Sequence, residues 1–147
     1  MALEKIAVIG AGVIGETLIR ALINNGTPSS HIFVAEKRVE RRKEIADTYK
    51  TSEIDGLHAV DVVFLAVKPQ DLIETIKSWD KSEISGKLVV TFAAGIKIKS
   101  IEDVLGSEVR VIRVMPNTPL TIGRGMSALS MGSKATLGDQ EWLSQFL

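Results

Sequence analysis

Three glycines, Gly10, Gly12 and Gly15, stand in the stretch VIGAGVIGE, directly after a short β-branched run. A G-x-G-x-x-G pattern between a strand and a helix suits a pyrophosphate. Gly10 permits the tight turn, Gly12 lets the backbone approach the phosphates without a Cβ clash, and Gly15 lets the helix pack close to the strand. The helix start adds free N–H groups and a partial positive charge. A second cluster, Glu36-Lys37-Arg38, closes the next strand. Glu36 follows Gly15 by 21 residues, roughly the spacing at which an acid takes the ribose hydroxyls of a dinucleotide. A carboxylate there favours NAD and repels a 2′-phosphate, whereas Lys37 and Arg38 favour NADP. The residues leave the choice between NADP and NAD open, and a solvated helix start is the plain alternative for all three. A third group lies in VMPNTPLTIGRG (114–125), where Pro116 and Pro119 bracket Asn117 and Thr118. Two prolines fix φ and remove two N–H donors, so the loop is rigid and carries two side chains able to hydrogen-bond. An Asx-turn closed by its own side chains is the competing reading.

Other chemistries find no support. The chain has no cysteine, which excludes disulfides, thiolate catalysis and Cys-ligated metals. His31 and His58 stand in no catalytic or metal-binding pattern and read as surface residues, so no metal is expected. Eighteen basic and eighteen acidic residues give zero formal net charge, which argues against an extended nucleic-acid surface. No apolar run approaches the ~20 residues that cross a bilayer. A cytoplasmic protein without nucleic-acid or membrane partners is expected.

These groups need elements to position them. Lys5–Ile9 reads as a buried strand, followed by a helix whose Ile14, Leu18, Ala21 and Leu22 face a sheet and which ends at Asn24-Asn25-Gly26. His31–Ala35 is a second strand and Val39–Tyr49 a charged helix with Ile45 and Ala46 as its apolar contacts. Residues 51–60 hold a short strand and a short helix. VVFLAV (62–67) is apolar on both faces, as in a parallel sheet covered on each side; Pro69 ends it, and Gln70–Trp79 is helical. KLVVTFAAG (87–95) repeats strand then glycine loop. Ser100 caps a helix to Leu105, Arg110–Met115 and 125–131 are strands, and Asp139 starts a helix still running at Leu147. The alternation predicts an α/β fold with a doubly wound, mostly parallel sheet, a Rossmann-type dinucleotide-binding domain over residues 1–147. The apolar, uncapped end QEWLSQFL predicts a truncated chain.

VIGAGVIGE, DVVFLAVKPQ, VVTFAAGIKIKSIE and RVIRVMPNTPLTIGRGMSAL, in this order along the whole chain, resemble the pyrroline-5-carboxylate reductase family, which makes proline in its last biosynthetic step. AVKP, AAG and MPNTP are far more specific than the glycine pattern. The resemblance implies an oxidoreductase passing hydride from a reduced nicotinamide to the C=N carbon of a small cyclic imine. It also implies a subunit about twice this long, whose helical second half, absent here, forms a homo-oligomer and completes the substrate pocket; the fragment alone would be nearly inactive. Ile9, Gly10, Ala11, Gly12, Val13 and Ile14, with Gly15, look like the phosphate-binding turn. Ala66, Val67, Lys68 and Pro69 look like the loop under the ribose and nicotinamide side, and Ala93, Ala94 and Gly95 like the next loop. Asn117 and Thr118 would stand beside nicotinamide and substrate. The chain departs from the family at Glu36-Lys37, where Asn-Arg or a Ser-containing segment is usual, and at Glu53, where Asn is usual. An imine reductase, an F420-dependent NADP reductase and a non-catalytic dinucleotide-binding module are the alternatives.

Overall fold

A computed structural model describes residues 4–116 and 127–147. Strands β1 (Ile6–Ile9), β2 (Ile32–Ala35), β3 (Ser52–Glu53), β4 (Val62–Leu65), β5 (Leu88–Thr91), β6 (Arg110–Pro116) and β7 (Ser127–Met131) form one sheet in the order β3-β2-β1-β4-β5-β6-β7. All neighbours are parallel except β6 and β7, which are antiparallel. The helices are α1 (Val13–Asn24), α2 (Val39–Tyr49), α3 (Pro69–Lys77), α4 (Lys81–Ile84), α5 (Ile98–Leu105) and α6 (Leu137–Ser144).

The central strands β1, β4 and β5 are buried at every position, and apolar at all but Thr91, because both sheet faces are covered. Alternate residues split into two cores. Ile6, Val8, Phe64 and Val90 meet Leu18, Ile19 and Leu22 of α1, Ile45 of α2 and Leu143 of α6 on one face. Ala7, Val63, Leu65 and Val89 meet Leu72 and Ile76 of α3, Ile84 of α4 and Ile101 and Leu105 of α5 on the other. Each large side chain so buried contributes about 1.5–3 kcal/mol. This is the doubly wound α/β architecture expected, and its strand order reverses between β1 and β4, the place where such sheets bind ligands.

Several boundaries differ from expectation. Ser100 does not cap α5: the helix begins at Ile98 with Lys97 as N-cap, and Ser100 sits inside its first turn. Asp139 does not start α6 either. Thr136 is the N-cap, its side chain accepting from the Asp139 N–H, while the Asp139 carboxylate accepts from the Thr136 N–H. That reciprocal box uses Asp where Glu or Gln is usual. The helix stops at Ser144 instead of running to Leu147, and Trp142, Phe146 and Leu147 pack on the α1 face of the sheet. β4 ends at Leu65, two residues early. α4, capped by the Asp80 side chain on the Ser82 N–H, has only four residues and shows no periodicity.

Candidate functional site

The glycine turn leaves β1 and is wedged between the ends of β2 and β4. The Gly10 N–H donates to the Ala35 carbonyl and the Ala66 N–H to the Ile9 carbonyl, each at 2.8 Å. Gly10 has φ +95°, and a Cβ there would lie 2.8 Å from the Ala66 oxygen. A Cβ on Gly15 would lie 2.0 Å from the Gly10 oxygen, so the helix presses on the turn itself as well as on the strand. Gly12 differs: its φ is −79° and a Cβ would meet nothing within 4 Å. Two glycines therefore serve the protein's own packing, and the third opens a cradle that a side chain would fill.

That cradle opens into a groove of about 1040 Å³. Ile9, Gly10 and Gly12 line one end, Glu36, Lys37 and Arg38 one flank, and Ala66, Val67 and Lys68 the opposite flank. Lys68 is the N-cap of α3 and Pro69 its first residue, a position whose missing N–H costs the helix nothing. The remaining expected residues do not line the groove. Ala11 is fully buried behind the turn, Val13 is exposed, and Ile14 packs against the core of the α1 face. Ala93 is buried while Ala94 and Gly95 are exposed beyond β5. Asn117 and Thr118 lie outside the described residues. Glu53, the position where the chain departs from the family, lines the groove as well, with Arg42, Asp71 and Thr75; on the sequence the last three read as the ordinary charged and polar positions of helix faces and loops.

Glu36 is the electrostatic centre of this site. Its Oε1 accepts the Ala11 N–H at 3.0 Å and its Oε2 the Arg38 N–H at 2.9 Å. The Arg38 guanidinium folds back onto both oxygens at 3.2 and 3.4 Å. Burial pushes the carboxyl up, but the bonds from the Arg38 side chain and from the Arg38 and Ala11 N–H groups outweigh it and hold Glu36 at about 2. The carboxylate is thus ionised and only 9 % exposed, whereas Arg38 is 64 % exposed and free to swing away. Glu36 can accept from ribose hydroxyls once Arg38 moves.

Arg41, Glu16 and Tyr49 were missed because each stands among charged helix residues that read as a solvated face. The Arg41 Nε donates to the Ala11 carbonyl at 2.8 Å and its Nη2 to Glu16 at 2.5 Å, while the Tyr49 hydroxyl donates to the other Glu16 oxygen at 2.6 Å. The histidines stand apart from this site. His58 is exposed, 3.6 Å from Glu83. His31 is half-buried in a 3-10 turn, against its surface reading, with Nδ1 enclosed and unpartnered among the described residues. Among those residues no group of three or more His, Cys, Asp or Glu side chains could hold a metal, and no helix is long and apolar enough to cross a membrane.

Residues 5–95 match the family model described as NADP oxidoreductase, coenzyme F420-dependent. A pyrroline-5-carboxylate reductase of Corynebacterium melassecola is 40 % identical over 142 residues, covering 88 % of this chain and 51 % of the relative. The pyrroline-5-carboxylate reductase structure of Coxiella burnetii superposes with TM-score 0.87 at 26 % identity, covering 97 % of this chain and 54 % of the other. That of Plasmodium falciparum, with NADP bound, superposes with TM-score 0.79 at 22 % identity, a likeness of fold, over 99 % of this chain and 55 % of the other. The resemblance read from AVKP, AAG and MPNTP is thus borne out. The chain spans about half the length of the curated relatives it matches.

Proposed function

Because the chain belongs to the family of NADP oxidoreductases described as coenzyme F420-dependent, we propose that its groove is the NADP or NAD site of a pyrroline-5-carboxylate reductase. The observation that carries this reading is the cradle at Gly12. It lies at the switch point of a parallel sheet, beside a helix N-terminus, with an ionised Glu36 on one flank of the groove. The residues present fit a dinucleotide. The turn and the first N–H groups of α1 would hold the pyrophosphate, Glu36 the adenosine ribose, and the small side chains of Ala66 and Val67 would leave room for the extended cofactor across the sheet edge.

The cofactor, when bound, would supply the hydride to the imine carbon of 1-pyrroline-5-carboxylate, and a proton taken up from solvent by the ring nitrogen completes the reduction to proline. The chain's own task is orientation. The glycine turn would fix one end of the ligand, and Lys68 at the start of α3 adds a positive charge along the groove; the 93–95 turn, which does not line that groove, would bear on the nicotinamide side only as the family resemblance implies. Asn117 and Thr118 would bear on the reacting ring. The imine is a small-molecule substrate, and its pocket would be completed by a second, helical half like that of the longer relatives, which would also make the homo-oligomer. A cytoplasmic location belongs to the same proposal.

An F420-dependent NADP reductase remains the second reading, favoured by the description of the matching family model. The full-length protein decides between them. Mixed with NADPH or NADH, it should consume reduced nicotinamide on addition of 1-pyrroline-5-carboxylate and form proline. Transfer between NADPH and F420 with no reduction of the imine would establish the second reading instead.

A further inference from the structure

The groove explains the role of the glycine turn but not what holds the turn in shape. Ala11, at its centre, is fully buried, and side chains grip it at both polar atoms. Its N–H donates to Glu36, and its carbonyl accepts from the Arg41 Nε at 2.8 Å. Arg41 is itself immobilised. Glu16 takes its Nη2, Glu44 lies 3.1 Å from its Nη1, and Tyr49 holds Glu16 from the other side. The hydrogen bonds from Tyr49 and Arg41 keep the Glu16 carboxyl below its ordinary range, so the pair is charged on both sides. Arg41 does not line the groove, although its neighbour Arg42 does.

Resting on the dinucleotide reading above, we infer that Arg41 is a positioning residue for pyrophosphate: by fixing the Ala11 carbonyl it sets the direction of the Gly12 N–H. The carbonyl of Ala11 and the N–H of Gly12 belong to one rigid planar peptide and point in opposite directions, so anchoring one aims the other. As helix N-cap, Gly12 has no intrahelical acceptor for that N–H. A charged donor on the carbonyl also polarises the amide, which strengthens its N–H as a donor, by roughly 10–30 % per bond in a hydrogen-bonded chain. Arg41's own charge is matched by Glu16 and Glu44, so it acts through the peptide and not as a phosphate ligand.

The test compares a ligand that carries pyrophosphate with one that does not. ADP-ribose and adenosine are titrated into the wild-type chain, Arg41→Met and Tyr49→Phe, with circular dichroism and melting curves on each. Arg41→Met keeps the aliphatic stem and removes the donors; it should weaken ADP-ribose at least tenfold and change adenosine by less than twofold. Tyr49→Phe, which removes one hydroxyl and decides the matter if Arg41→Met does not fold, should weaken ADP-ribose two- to fourfold with adenosine again unchanged. Unchanged ADP-ribose affinity, or equal losses for both ligands, would show that Arg41 only staples α2 to α1 and would overturn the inference. A folded wild type that binds neither ADP-ribose nor a nicotinamide dinucleotide would instead overturn the dinucleotide reading, and the inference with it.

Discussion

Glu36→Gln should shift cofactor preference toward NADPH by about tenfold or more. Glutamine keeps the size of the side chain and one oxygen for the Ala11 N–H, so the turn is preserved. It removes the charge that Arg38 now neutralises at 3.2 Å. Two effects then act in the same direction. NADH loses the charge-assisted part of the ribose contact, and NADPH gains a guanidinium no longer committed to a carboxylate. A hydrogen bond to a charged group is worth roughly 1.5–3 kcal/mol, and about 1.4 kcal/mol is a factor of ten in affinity. Screening at the exposed Arg38 favours the lower part of that range. Lys37, exposed on the same flank, should act in the opposite sense, Lys37→Ala moving preference toward NADH. The assay is the ratio of dissociation constants for NADPH and NADH, measured by titration at one ionic strength. If either substitution alters both constants equally, these side chains only cover the surface and the reasoning fails.

Gly15→Ala should be costly, because its Cβ would meet the Gly10 carbonyl at 2.0 Å; strain of about 1–3 kcal/mol lowers Tm by roughly 3–10 °C in a melting curve. Glu36 should also make stability depend on pH. Its carboxyl is at about 2 in the fold against 4.5 unpaired, so its contribution is complete above 4.5 and is lost as pH falls through 2, where urea midpoints of wild type and Glu36→Gln should converge. At 1.36 kcal/mol per pH unit the gap corresponds to about 3 kcal/mol, and solvent around Arg38 reduces it to about 1–2 kcal/mol. In the full-length protein Asn117→Ala should lower kcat/KM tenfold or more, about 1.4 kcal/mol, and stability by only about 1 kcal/mol; steady-state kinetics beside a melting curve checks this, and unchanged kinetics with a large loss of stability would leave Asn117 as a turn-former.

The strands were legible because burial on both faces leaves a mark on the sequence. VVFL and LVVT carry no polar face, and runs of that kind belong in a covered parallel sheet. Gly10 and Gly15 were legible because a backbone constraint selects one residue type at each, and Gly12 because it completes their spacing. What escaped is what depends on distant partners. Arg41 looks like any other cation of VERRKEIADTY until α2 packs beside α1 and brings its Nε to Ala11. Asp139 looks like a helix start because the hydroxyl it answers, Thr136, is three residues earlier and the acid is one carbon shorter than the usual partner. The glycine pattern already divides the three positions into turn, phosphate approach and packing; what the structure adds is the contact each makes, a Cβ on Gly15 meeting the Gly10 carbonyl and one on Gly12 meeting nothing within 4 Å.

The central claim is that the space above Gly12 holds a dinucleotide, and one calorimetric measurement tests it most directly: NADH and NADPH titrated into the wild-type chain and into Gly12→Val. The substitution suits the question because φ at Gly12 is −79° and its Cβ meets no protein atom within 4 Å, so valine should leave the fold and Tm in place while filling the cradle. The account predicts saturable binding of at least one reduced cofactor to the wild type and none to the folded variant. Equal binding by both proteins, or no binding by a folded wild type, would contradict it.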